Sequence, residues 1–142
     1  MEALASSEVA PSQTRSRVLV VEDDEAIRVL VRTVLVRYGY QVETANDGVQ
    51  AIECIRRNNY DAILMDFMMP FKTGLDVLEW MSESRPEVVK GCVIVFTAAA
   101  PRDLQEFDQE SVFAVIRKPF DLQQLVLTVK SCVERWPGSA RR

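Results

Sequence analysis

Residues 18–28 have the sequence VLVVEDDEAIR, which combines an apolar run with an acidic cluster. Its first part, Val18–Val21, is an unbroken and mostly β-branched run, typical of a strand buried on both faces of a parallel sheet. Three acidic residues follow directly, and Asp24 is placed to cap the next helix. Apolar residues then recur at helical spacing until Gly39, a helix stop signal. The stretch therefore predicts a strand, an acidic turn and a helix.

The same alternation continues along the chain. Further strands are predicted at Gln41–Ala45, Ala62–Met65, Val93–Phe96 and Val112–Ile116. Helical spacing predicts helices around Val49–Ile55, Leu75–Met81 and Leu122–Val129, and a short, weakly apolar helix after Pro101. We expect the helix around Leu75–Met81 to end before Pro86, and the last helix to end before Pro137. Five strands alternating with five helices predict an α/β fold of right-handed βαβ units, with a parallel sheet covered on both faces.

The length of 142 residues fits one domain. We expect that domain to span residues 17–135. Residues 1–16 show no periodicity and are expected to form a mobile tail. Residues 136–142, WPGSARR, are expected to be a frayed end or the start of a linker.

Composition excludes several classes of function. A formal charge of −4 argues against nucleic-acid binding by this segment, and no apolar run is long enough to span a membrane. The chain contains no histidine, which removes serine-hydrolase triads and most zinc enzymes. Its three scattered cysteines suggest buried thiols in a reducing compartment. With no signal-peptide pattern at the N-terminus, we expect a cytoplasmic protein.

Polar residues follow four of the predicted strands. Glu22 and Asp23 follow the first, Asp66 the third, Thr97 the fourth and Lys118 the fifth. Taken singly, each has an ordinary structural explanation, such as a helix cap, a turn or a strand end. In a doubly wound sheet, however, the carboxyl ends of the strands form one rim, where sites are found. We therefore expect these five side chains to converge there.

Such a grouping suits phosphoryl transfer. Clustered carboxylates need a cation to remain ionised, and oxygen ligands without His or Cys favour Mg²⁺. An ionised Asp66 is a nucleophile able to form an aspartyl phosphate. Lys118 would hold one phosphoryl oxygen, and Thr97 would donate a hydrogen bond to another.

The stretches VLVVEDDEAIR, DAILMDFMMPFKTG, VIVFTA and IRKPF together resemble the response-regulator receiver family over nearly all of residues 17–135. The resemblance implies a flavodoxin-like, doubly wound sheet with strand order 2-1-3-4-5. It makes Asp66 the phosphoacceptor and Asp23 a direct ligand of Mg²⁺, with Mn²⁺ as an alternative ion. Glu22 would act mainly through bound water, and the backbone carbonyl of Met68 would complete the protein's share of the metal shell.

The resemblance also implies a signalling switch that assists its own phosphorylation and slow dephosphorylation, rather than an enzyme. Thr97 would sense the phosphoryl group, Lys118 would counter its charge, and the Lys118–Pro119 bond would be cis. The donor would be a phosphohistidine on a sensor histidine kinase or a phosphotransfer protein. Phosphorylation would remodel the face formed by the fourth helix, the fifth strand and the fifth helix, for a downstream effector protein or domain. Homodimer formation stays open.

Some positions depart from the family pattern. Receivers often carry Tyr or Phe three residues before the lysine, but here that residue is Val115. Phe113, expected on the same strand face, is a candidate to replace it. Met68 and Ala99 occupy positions from which a polar side chain could orient an attacking water. Neither can do so by hydrogen bonding, and we hypothesise slow self-hydrolysis of the aspartyl phosphate.

Three other functions would use part of the same residue pattern. A phosphohydrolase of the haloacid dehalogenase type would place a second acid two residues after the nucleophile, where this chain has Met68. A flavodoxin-like cofactor binder would want a Ser, Thr or Gly loop after the first strand, and the acidic loop here would repel a flavin phosphate. A pseudo-receiver serving only as a docking scaffold is opposed by the presence of all five site residues, although Val115 leaves it some room.

Overall fold

The computed structural model describes residues 15–69, 72–98 and 108–135. In chain order the elements are β1 (Arg17–Val21), α1 (Glu25–Arg37), β2 (Gln41–Ala45), α2 (Gly48–Arg57), β3 (Ala62–Met65), α3 (Gly74–Ser84), α4 (Pro86–Cys92), β4 (Val93–Thr97), a 3₁₀ turn (Gln109–Ser111), β5 (Ala114–Arg117) and α5 (Leu122–Arg135). The predicted α/β alternation is confirmed.

The five strands form one parallel sheet in the order β2-β1-β3-β4-β5, as the family resemblance implied. Strand β1 is an interior strand, because Val18 pairs with Val42 of β2 on one side and Ala62 of β3 on the other. The chain order reverses at this point, since it builds outward from β1 first in one direction and then in the other. Ligand sites of such sheets form beside that reversal.

The apolar runs of the sequence are the interior strands of the sheet. All residues of β3 and β4 are buried, as are the last four of β1. Helices cover both faces and contribute narrower apolar stripes, such as Val31 and Leu35 from α1 and Leu125 and Val129 from α5. Burial on both faces explains why these strands show no alternation of polar and apolar residues. The polar residues that follow them are therefore attached to strands buried in the core.

Local signals of the first helix behave as predicted. Asp24 caps α1 by accepting a hydrogen bond from the amide of Ile27 at 3.1 Å. The helix ends at Arg37, and Gly39 adopts a left-handed conformation with φ 95° that a side chain would disfavour.

The three cysteines are free thiols, two of them buried. Among the described helices, none combines the length and apolar character that a membrane span requires.

Two elements differ from the sequence-based expectation. Pro86 was taken only as a stop, but it also starts the short helix α4, because proline suits the first turn, where no amide donor is needed. The last strand begins at Ala114 rather than Val112. A 3₁₀ turn precedes it, and the amide of Phe113 bonds the carbonyl of Val93 just before the strand. The helix predicted after Pro101 lies outside the described residues, as do residues 1–14 of the expected N-terminal tail and residues 136–142.

Candidate functional site

Three carboxylates meet at the carboxyl edge of the sheet. Glu22, Asp23 and Asp66 each offer an oxygen within 4.8 Å of the others. The register of the sheet produces this cluster, because β1 and β3 end side by side with Val21 opposite Met65. The amide of Asp66 then donates to the carbonyl of Val21 at 2.9 Å. The predicted acidic grouping therefore follows from strand pairing.

The three acids differ in exposure. Glu22 is 1% exposed and Asp66 is 4% exposed, whereas Asp23 faces solvent. Oδ1 of Asp66 accepts a hydrogen bond from the amide of Met68 at 3.2 Å. Met68 itself is 54% exposed. Asp66 is thus buried at the carboxyl edge of the sheet, and Asp23 and Met68 lie on the solvent side of it.

Lys118 joins this cluster from the far edge of the sheet. Its Nζ donates to Oε1 of Glu22 at 2.6 Å and to Oδ2 of Asp66 at 3.2 Å. The Lys118–Pro119 peptide bond is cis, as the family resemblance implied. The ammonium also lies 5.1 Å from the ring centroid of Phe96, a cation–π distance. Lys118 therefore contacts two buried carboxylates at once.

Thr97 is the last residue of β4, the strand that separates β3 from β5. It is fully buried, and its carbonyl accepts the backbone amide of Lys118 at 2.9 Å. The sheet order thus places Thr97 between the strands that carry Asp66 and Lys118. Ala99, the other residue considered near this strand end, lies outside the described residues.

Burial and charge shape the acid–base behaviour of the cluster. Burial raises the pKa of Glu22 to about 7, because the charged carboxylate loses its hydration. Burial by itself would lower the pKa of Lys118, but the hydrogen bond to Glu22 and the charge of Asp66 outweigh it and the pKa is raised. Lys118 therefore stays protonated, and its ammonium group lies among three carboxyl groups.

The donor set fits a hard divalent cation. Glu22, Asp23 and Asp66 supply only oxygen atoms, and a partly open rim leaves room for the waters that Mg²⁺ retains. No sulfur or imidazole ligand is present in this cluster, which separates it from zinc and copper sites. The assignment of Met68 as a further ligand through its carbonyl stays a prediction.

Sequence reasoning missed Gly74, the first residue of α3. A Cβ built on Gly74 would lie 2.4 Å from the carbonyl oxygen of Asp66 and 2.8 Å from Cα of Phe67. The amide of Gly74 also bonds the carbonyl of Phe67 at 3.0 Å. Absence of a side chain here lets α3 begin directly against the backbone that carries Asp66. The glycine in the DAILMDFMMPFKTG stretch was the available signal.

Val115 and Phe113, the two residues considered for the aromatic position, lie at different places relative to β5. Val115 lies within β5 and is half-buried. Phe113 precedes that strand and lines a surface groove with Gln124, Leu127 and Thr128 of α5. That Phe113 replaces the aromatic residue of the family pattern stays a prediction.

The chain is similar in sequence to proteins of a known family. A family model described as response regulator receiver domain matches residues 18–130. Response regulator MprA of Mycobacterium leprae is 34% identical over 123 residues, which cover 84% of this chain and 51% of MprA. The chain therefore spans about half the length of such curated relatives.

Solved structures show the same fold. The receiver domain of Francisella response regulator 1452 has a TM-score of 0.76 and 28% identity, covering 85% of this chain and 98% of that one. Response regulator TrrA of Thermotoga maritima, solved in complex with Mg²⁺-BeF, has a TM-score of 0.72 and 28% identity, covering 82% and 98%. With its sheet order, its acidic rim and the family match over residues 18–130, this chain belongs to the response regulator receiver domains of two-component systems.

Proposed function

We propose that this receiver domain accepts a phosphoryl group on Asp66 with the help of Mg²⁺, and thereby switches a surface that a downstream protein reads. One observation carries the proposal. Nζ of Lys118 lies 3.2 Å from Oδ2 of Asp66, while Glu22 and Asp23 complete an all-oxygen cluster around the same carboxylate. A nucleophile, a counter-charge and cation ligands are thus assembled at one strand end.

The transfer step can be written for these residues. An Asp66 carboxylate oxygen forms a bond to phosphorus while the bond from phosphorus to a histidine nitrogen of the donor breaks. The imidazole leaves with that electron pair and takes up a proton from water. When bound, Mg²⁺ would supply positive charge that lets an anionic phosphoryl group approach an anionic carboxylate. Lys118 would turn an N–H toward one phosphoryl oxygen, and the Thr97 hydroxyl would donate to another.

The burial of Asp66 constrains the donor. The Asp66 side chain is only 6% exposed. The donor must therefore insert its phosphoryl group between the strand ends to reach the carboxylate. A groove of about 440 Å³ lies beside Lys118 and is lined by Ile27, Ala98, Pro119 and Phe120 as well. Its largely apolar lining suits a protein donor, which we propose is a sensor histidine kinase or a phosphotransfer protein.

The output side follows the family pattern. We propose that phosphorylation alters the face around the segment between β4 and β5, strand β5 and helix α5, and that an effector protein or domain reads it. The same proposal makes the chain a switch that assists its own modification, with Mn²⁺ able to replace Mg²⁺. A membrane or nucleic-acid partner is not part of it, and homodimer formation is left to measurement.

Incubation with acetyl phosphate and Mg²⁺, followed by intact-protein mass measurement, tests the proposal. The wild type should gain one phosphoryl group, chelation of Mg²⁺ should prevent the gain, and Asp66→Asn should abolish it. Asp47→Asn is a matched control, because asparagine caps α2 as well as aspartate does. Sustained release of phosphate from metabolites would instead favour a phosphohydrolase, and an unmodified wild type would contradict the proposal.

A further inference from the structure

Arg28 contacts the backbone of the acidic turn that follows β1. It is the fourth residue of α1, and its Nη1 donates to the carbonyl of Glu22 at 2.9 Å and to the carbonyl of Asp23 at 3.4 Å. These carbonyls belong to two of the three residues that form the carboxylate cluster. One guanidinium thus contacts two consecutive peptide groups of the site.

The location of this cation needs an explanation. A positive charge in the first turn of a helix opposes the helix dipole, which favours acidic residues there. Glu25 follows that preference, but Arg28 does not. The contacts with the carbonyls of Glu22 and Asp23 provide a reason for an arginine at this position.

The turn is otherwise held at its two ends. The amide of Glu22 donates to the carbonyl of Ala45, and the amide of Asp24 donates to Oε2 of Glu22, each at 3.0 Å. Asp23 lies between these anchors and is exposed, and the backbone that they hold sets the position of the Cβ from which its carboxylate extends. Arg28 is bonded to the carbonyl of this residue and of the residue before it.

We infer that Arg28 is a positioning residue for divalent-cation binding: by holding the carbonyls of Glu22 and Asp23, it directs the Asp23 carboxylate into the acidic cluster. This inference rests on the proposed function, because the cation is Mg²⁺. Residues that orient metal ligands from behind typically contribute 10–100-fold in metal affinity. The role differs from that of Lys118, which contacts the carboxylates themselves.

The charge of Arg28 and its contacts with the turn predict opposite changes in Mg²⁺ affinity when Arg28 is removed. The guanidinium repels a divalent cation, so its loss would tighten Mg²⁺ binding if charge alone mattered. Loss of the two carbonyl contacts would weaken binding by releasing the turn. The sign of the change in Mg²⁺ affinity therefore separates the two effects.

Calorimetric titration with Mg²⁺ alone tests the inference. Arg28→Met should raise the Kd for Mg²⁺ about tenfold. Arg32→Met, which removes the same charge from an exposed position one turn along α1, should stay within about twofold of wild type, as expected for a screened surface charge. Affinity that is unchanged or tighter in Arg28→Met, or equally weakened in Arg32→Met, would overturn the inference.

Arg28→Lys keeps the test usable if the methionine variant does not fold. Lysine retains the charge but reaches one carbonyl at a time, so Mg²⁺ should bind more weakly than to wild type. Affinity equal to that of wild type would contradict the positioning role. Failure of the wild type itself to bind Mg²⁺ would instead count against the proposed function, which distinguishes the two failures.

Discussion

Nζ of Lys118 lies 2.6 Å from Oε1 of Glu22, although 96 residues separate them in the chain. This ion pair ties the end of β5 to the end of β1 across the two strands between them. The same ammonium contacts Asp66 at 3.2 Å. Before any cation binds, Lys118 is thus the counter-charge of the site, and phosphorylation would require it to redistribute its hydrogen bonds.

Lys118→Met should destabilise the metal-free protein by about 3 kcal/mol, because it leaves Glu22 and Asp66 buried without their counter-charge. Mg²⁺ should then raise the melting temperature of the variant more than that of wild type. Thermal unfolding with and without Mg²⁺ measures both effects. Lys130→Met, on the exposed side of α5, is the control. An equal response of wild type and Lys118→Met to Mg²⁺ would show that Lys118 does not occupy this role.

Gly74→Ala should lower both stability and the rate of phosphorylation. The added Cβ would meet the Asp66 carbonyl at 2.4 Å, so the backbone of the phosphoacceptor must shift. Overpacking of this kind costs about 1–3 kcal/mol. Denaturant unfolding and labelling by acetyl phosphate report the two effects, with Ser84→Ala at the exposed end of α3 as control. A Gly74→Ala variant that matches wild type in both measurements would refute the close-approach argument.

Glu43 lies on β2, the edge strand opposite β5, and is expected to affect the stability of the protein in acid. Burial would raise its pKa, but hydrogen bonds from Tyr60 and Arg17 outweigh burial and lower the pKa below its ordinary value. Since the folded-state pKa is depressed, this stabilisation is present above the unfolded-state pKa and is lost as pH falls through the folded-state pKa. Glu43→Gln should therefore flatten the loss of stability on acidification.

Unfolding by urea across the acidic range checks this expectation. The control is Glu53→Gln, which removes an exposed carboxylate whose partner is Arg57, one turn along α2. Surface pairs of this kind contribute little. Identical acid profiles for wild type and Glu43→Gln would rule out a stabilising role for the carboxylate.

Met68→Asn should speed the loss of the phosphoryl group. Met68 is exposed beside Asp66 and cannot orient a water by hydrogen bonding, whereas asparagine at that position could. Decay of the labelled protein after removal of acetyl phosphate should be severalfold faster in the variant. Equal decay in the two proteins would remove the basis for expecting a long-lived phosphorylated state.

Strand positions and site residues were accessible from the sequence because each depends on local pattern. Apolar runs such as Val18–Val21 locate the buried strands, and parallel strands necessarily bring their following residues to one edge. This reasoning placed Glu22, Asp23, Asp66 and Lys118 together, as the structure has them.

Features that depend on packing were less accessible. Pro86 is compatible with both the end of one helix and the start of the next, so α4 was missed. Gly74 and Arg28 act through backbone groups, which no residue pattern reports directly. The direct ion pair of Glu22 with Lys118 was also not foreseen, because sequence order does not reveal which carboxylate an ammonium will contact.

Chemical mapping of the modified residue identifies the side chain that carries the phosphoryl group. After incubation with acetyl phosphate and Mg²⁺, borohydride converts an aspartyl phosphate to homoserine, and peptide mass spectrometry locates the change. We expect the conversion at Asp66 and at no other acidic residue. Homoserine at Asp23, hydroxynorvaline at Glu22, or no reduction product in folded, Mg²⁺-loaded protein would contradict the assignment of Asp66 as phosphoacceptor.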